Sequence, residues 1–152
     1  MTRVTMHSLL EILRGRPHAR RATPDEKSRP SPFREQARFA KWAPKEYPIY
    51  TQLAAGRPGV TPYDVAVSDC FHPPVIHRIL CKGGRILVQA SDNVLVKEVK
   101  VAVCDERGNI LAWGNAVRLE GDWWEFLTRV EGKKITVMAW DLPGNQARLD
   151  LE

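Results

Sequence analysis

From Val75 to the end of the chain apolar residues return at every second position, and this period constrains the fold more than any other feature. Ile86, Val88 and Ala90 alternate with polar or bulky neighbours in RILVQA, and Val99, Val101 and Val103 flank Lys100 and Ala102. Ile135, Val137 and Ala139 share a face of KITVMAW, and Ala147, Leu149 and Leu151 do so in QARLDLE. Successive side chains of an extended chain point to opposite sides, so each run is a strand with one face to bury. Turn-forming segments separate the runs: KGG (82–84), SDN (91–93), DERGN (105–109), EGD (120–122), EGKK (131–134) and DLPGN (141–145). Short one-faced strands at this spacing predict a mainly β protein whose antiparallel β-sandwich occupies residues 74–152.

Upstream the period is helical. VTMHSLLEILRG (4–15) predicts a short amphipathic helix closed by Gly15, and the proline- and charge-rich 16–32 stretch predicts a flexible linker. In SPFREQARFAKWA (31–43), Ser31 is placed to cap a helix with Pro32 at its first position, and Phe33, Ala37, Ala40 and Trp42 form its expected apolar stripe. A turn-rich stretch follows, and then Thr61, Pro62 and Asp64 repeat the start signal before Pro73-Pro74 ends the helix. Three segments result: a basic flexible arm with a short helix (1–30), a helical and extended wrap (31–73) and the sandwich (74–152).

Charge separates the same segments. Residues 1–48 hold 11 Lys and Arg against 5 Asp and Glu, whereas 49–152 hold 12 against 13. Arg14, Arg16, Arg20, Arg21, Arg29, Arg34, Arg38 and Lys41 form a basic segment suited to a protein partner or to nucleic-acid phosphates. No apolar run spans a membrane, and no secretory h-region is present. Three cysteines, an odd number, fit reduced thiols in a cytoplasmic protein.

ASDNVLVKEVKVAV (90–103), the tryptophan pair Trp123-Trp124 and ITVMAWDLPGN (135–145) together resemble bacterial Ig-like domains. In that family A-[ST]-D-N-V leads into a valine-alternating strand, and V-x-A-x-D-x-x-G-N follows a Trp or Tyr strand. Asp92, Asn93, Val94, Asp141, Gly144 and Asn145 match this pattern. The resemblance covers about residues 74–152 and implies an Ig-like antiparallel β-sandwich with a partly helical, partly disordered N-terminal extension. It also implies a module for adhesion, carbohydrate binding or spacing. The stretch from Tyr47 to PPVIH is similar to the lead-in before such domains in bacterial proteins.

Two constellations offer metal chemistry. Cys70, His72, His77 and Cys81 supply two Cys and two His for Zn²⁺. On a strand, however, His77 and Cys81 stand about 13 Å apart, too far to share one ion, which favours structural cysteines and a surface histidine. Asp92, Asn93, Asp141 and Asn145 supply oxygens for Ca²⁺ if their loops meet at one end of an Ig-like sandwich. Equally, they cap their own turns. Of Trp123 and Trp124, neighbours on one strand, one is expected in the core and one on the outer face. Nucleophile-elbow, P-loop, dinucleotide and zinc-protease motifs are missing, so the chain is expected to be non-catalytic and to need no cofactor. The expected role is a protein-interaction or assembly module. The rivals are a nucleic-acid-associated accessory protein working through the arm and a Ca²⁺- or carbohydrate-binding module.

Overall fold

The computed structural model describes residues 32–152. The expected helix at 4–15, the linker up to residue 31 and Arg14, Arg16, Arg20, Arg21 and Arg29 lie outside the described residues. The described chain divides at Pro73/Pro74 into two compact units.

The 74–152 unit is built from eight strands: β1 (Val75–Lys82), β2 (Arg85–Ser91), β3 (Val96–Cys104), β4 (Ile110–Asn115), β5 (Val117–Arg118), β6 (Trp123–Leu127), β7 (Lys134–Asp141) and β8 (Gln146–Leu151). They form two four-stranded antiparallel sheets, ordered β1-β2-β6-β5 and β4-β3-β7-β8. The alternation seen in the sequence decides which side chains meet. Ile79, Ile86, Val88, Ala90 and Trp124 of the first sheet join Val99, Val101, Val103, Val137 and Ala139 of the second in one buried core. Each fully buried aliphatic side chain contributes about 1.5–3 kcal/mol relative to exposure, so this row of valines and isoleucines is the main stabilising element. At the β1–β2 turn Gly83 and Gly84 take φ of 56° and 79°, the left-handed region that suits glycine in tight hairpins.

The outer faces differ. On the second sheet Ala102, Cys104 and Thr136 are 0% exposed and Met138 is 1% exposed, while Trp113 on the edge strand β4 is 50% exposed. Long side chains lie across this face: Lys100 sits 5.7 Å from the Trp140 ring centre, and Thr136 Oγ1 donates to Asp150 Oδ1 at 2.7 Å. On the first sheet, Leu80, Leu87, Glu125 and Val117 form one outward row across all four strands, with Trp123 and Leu127 in the neighbouring rows. Leu80, Val117 and Leu127 are exposed by 46%, 66% and 67%.

The 32–73 unit contains α1 (Pro32–Glu46), α2 (Pro48–Ala55) and α3 (Pro62–Cys70), with α3 packed on both others. Thr61 caps α3 with a full capping box: its Oγ1 accepts from Asp64 N at 3.2 Å, and Asp64 Oδ2 accepts from Thr61 N at 2.9 Å. Tyr50 donates to Asp69 Oδ2 at 2.6 Å, tying α2 to α3 inside the unit. Helix α2 falls where the sequence predicts turns. Pro48 there occupies the first helical turn, where its missing N–H costs nothing, and so begins a helix rather than breaking one. The apolar stripe of α1 also differs from expectation. Ala40 and Ala43 are buried, while Phe33 and Trp42 are 68% and 46% exposed.

Candidate functional site

The β2–β3 loop and the β7–β8 turn meet at one end of the 74–152 unit, because Val96 at the start of β3 pairs with Asp141 at the end of β7. Each loop is ordered by its own carboxylate. Asp92 Oδ2 accepts from Val94 N at 2.9 Å and Leu95 N at 3.0 Å. Asp141 Oδ1 accepts from Asn145 N at 2.6 Å, and its Oδ2 accepts from Asn145 Nδ2 at 2.8 Å. Gly144, at φ 94°, closes this turn, and its N–H donates to the Asp141 carbonyl at 3.3 Å. The side-chain oxygens therefore act as turn caps, satisfying N–H groups that the strands leave open. Asn93 stands exposed in the first loop.

The two loops also bring charge together. A carboxylate oxygen of Asp92 lies within 4.8 Å of one of Asp141. Burial, assisted by the Asp92 charge, pushes the Asp141 carboxyl up to about 6 even though the Asn145 hydrogen bonds favour the ionised form. Between about pH 4 and 6 the native state therefore holds a proton that the unfolded chain, titrating at 3.8, has released. Stability from this group is fully present below about pH 4 and is lost as pH rises through 6, by on the order of 2 kcal/mol. Asp64 and Asp105 act in the opposite sense and in another window. Hydrogen bonds from Thr61 and Asn109 hold them low, so their contribution is lost only as pH falls below 3.8. Urea unfolding at pH 4.5 and 7.5 is expected to show a drop in wild-type stability that Asp141→Asn abolishes. An unchanged pH slope in the variant would assign the drop to another group.

The two histidines of the sulfur and imidazole set are engaged in local contacts. His72 Nδ1 meets the Ser68 carbonyl at 2.6 Å, and Cys70 is buried at the end of α3. His77 sits where β1 bulges, between Ile76 and Arg78, and its Nε2 lies 2.6 Å from Ser91 Oγ. The bulge leaves His77 without a one-to-one partner on β2. No disulfide joins any of the three cysteines. Burial pushes both Cys81 and Cys104 up, away from the nucleophilic thiolate. Cys81 borders an open cleft of about 250 Å³ together with Arg85, Ile86, Thr128 and Val130, at the end of the sheets opposite Asp141.

Of the basic set, Arg34, Arg38 and Lys41 are exposed on α1, where Lys45, outside the set chosen from sequence, is exposed as well. The tryptophans divide as expected: Trp124 enters the core and Trp123 stays half-buried on the outer face. The apolar residues of that outer face, Leu80, Leu87, Val117 and Leu127, escaped the sequence reading. One signal was available: Leu87 stands between Ile86 and Val88, so RILVQA is apolar on both faces.

Compared with protein-family models, curated proteins and solved structures, the chain gives no significant match.

Proposed function

We propose that the 74–152 unit is a non-catalytic protein-interaction module that docks a protein partner through the outer face of the β1-β2-β6-β5 sheet. The observation that carries this reading is the contrast between the two outer faces. One sheet is closed over Ala102, Cys104, Thr136 and Met138 and leaves Trp113 exposed on its edge strand β4, whereas the other presents Leu80, Leu87, Trp123, Val117 and Leu127 across all four strands. Contiguous exposed apolar residues interspersed with charge are the composition of a non-obligate interface. Here Arg85 and Glu125 supply the charge, as an ion pair in which Arg85 Nε donates at 2.6 Å.

Strand order supports one class of module. β1-β2-β6-β5 corresponds to strands A, B, E and D of an Ig-type domain, and β4-β3-β7-β8 to an added strand with C, F and G. We therefore read the unit as Ig-like, in keeping with the D-N-V and D-x-x-G-N motifs. Its core holds without a disulfide, since no two cysteines are joined. A cytoplasmic setting agrees with cysteines that form no disulfide, and no helix among the described residues is long and apolar enough to cross a membrane.

The test is affinity capture from nuclease-treated lysate of the source organism. Wild type is compared with Leu80→Lys/Val117→Lys/Leu127→Lys, with captured proteins identified by mass spectrometry. These side chains are exposed, so the variant is expected to melt like wild type while recovering its specific partner at least about tenfold less. Equal recovery by a folded variant would refute the face as the contact surface. Sedimentation of both proteins distinguishes a second copy of the chain as the occupant.

A further inference from the structure

Helix α1 carries a line of four cations that the sheet-face reading does not use. Arg34, Arg38, Lys41 and Lys45 follow the spacing i, i+4, i+7, i+11, which holds them within one face of a helix rising 1.5 Å per residue. The line is thus about 16 Å long. All four side chains are exposed, and among the described residues none of them enters an ion pair. Ala40 and Ala43, both buried, lie on the opposite side of the helix. The cationic line therefore points away from the α1 packing face by construction. Beside it stands Trp42, 46% exposed and neighbouring Arg38 at i−4 and Lys45 at i+3. Its ring is held edge-on by Phe39 at 5.3 Å and tilted against Tyr47 at 6.0 Å, so an aromatic platform is already oriented next to the charges.

We propose that this face of α1 binds single-stranded nucleic acid, with Arg34, Arg38, Lys41 and Lys45 on successive phosphates and Trp42 stacking on a base. Cations tracking a backbone beside an exposed ring are the two components of sequence-tolerant single-strand binding. A duplex keeps its bases stacked and offers the ring nothing to stack on. An anionic membrane suits the charges equally well, but surface helices also bury an apolar face in the lipid. In α1 that face is committed to Ala40, Ala43 and the packing against α3. The site is independent of the sheet face, and either can fail without the other.

The experiment uses the full chain of residues 1–152 and a fluorescein-labelled 20-nucleotide oligo-dT, followed by fluorescence anisotropy from 50 to 300 mM salt. Four phosphate contacts predict a log–log salt slope steeper by about 3 than that of a protein lacking them. Arg38→Glu/Lys41→Glu is expected to weaken binding by at least about tenfold and to flatten the slope by more than 1, with an unchanged melting temperature. Should that variant fail to fold, Arg38→Gln/Lys41→Gln serves the same purpose. Trp42→Ala is expected to weaken binding while leaving the slope in place, because stacking releases no counterions. Wild-type affinity in the folded charge variant overturns the proposal, because binding would then belong to other basic residues of the chain. Equally, loss of phosphatidylserine-vesicle binding without any oligo-dT binding by wild type would overturn it in favour of a lipid surface.

Discussion

Trp124→Ala is expected to remove about 3–5 kcal/mol from the stability of the 74–152 unit, a large share of the 5–15 kcal/mol typical of a whole domain. The ring is 5% exposed and pairs with Val88 across the β2–β6 ladder, filling the space between the sheets. The Arg118 guanidinium lies 4.5 Å from its ring centre, and the same guanidinium donates to the Val96 carbonyl of the facing sheet. Truncation thus leaves a cavity and also frees the cation that links β5 to β3. Trp124→Phe sharpens the prediction. The indole Nε1 is buried with no hydrogen-bond partner among the described residues, a donor whose desolvation costs roughly 1–3 kcal/mol. Phenylalanine removes that donor while keeping much of the apolar volume, so its net loss is expected to be less than half that of alanine. Urea unfolding of both variants, followed by circular dichroism, checks the ratio. Equal losses would mean that the donor carries no penalty in the native state.

Gly132→Ala is the second large effect, and here one methyl group is enough. A Cβ at this position would lie 2.5 Å from the Cys104 carbonyl oxygen and 2.5 Å from Val103 Cγ1. The oxygen belongs to the end of the central strand β3 and accepts a hydrogen bond from Lys133 N at 2.8 Å, so it cannot yield without losing that bond. Overpacking a site of this kind costs about 1–3 kcal/mol and occasionally more; the upper end is expected, because the clash is with backbone. Gly56→Ala is the control. Its φ of −83° is open to any residue, and the nearest atom to an added Cβ lies at 4.0 Å, so its stability is expected to stay within about 0.5 kcal/mol of wild type. Comparable losses at the two positions would show that the 131–133 turn relaxes freely.

Some features of this protein were open to sequence reasoning because burial writes a period into the chain. The inward sets Ile86/Val88/Ala90, Val99/Val101/Val103 and Ile135/Val137/Ala139 all meet in the core. The Thr61–Asp64 box forms as its spacing implies, because every donor and acceptor it needs lies within one turn. Helix α2 was hidden because Pro44, Pro48 and Gly56 suggest breaks, although proline is at home in a first helical turn and Pro44 lies inside α1 near its end. The cationic line was half legible: Arg34, Arg38 and Lys41 were grouped by charge, and helical spacing alone adds Lys45 to their face.

What the sequence determined by itself is thus everything set by neighbours along the chain: strand period, turn positions, caps and the helical register of charges. Tertiary structure alone decided the rest. The letters of DLPGN are the same whether the turn is wet or dry, and only packing at the β3–β7 end buries Asp141 and moves its titration to about 6. Likewise, alternation shows that each strand has two faces without showing which outer face will be closed. That depends on the side chains of other strands crossing it, and here they cross Met138 and Trp140 while Leu80, Val117 and Leu127 stay open. Burial is a property of what arrives from elsewhere in the chain, so it emerges only once the sheets have assembled.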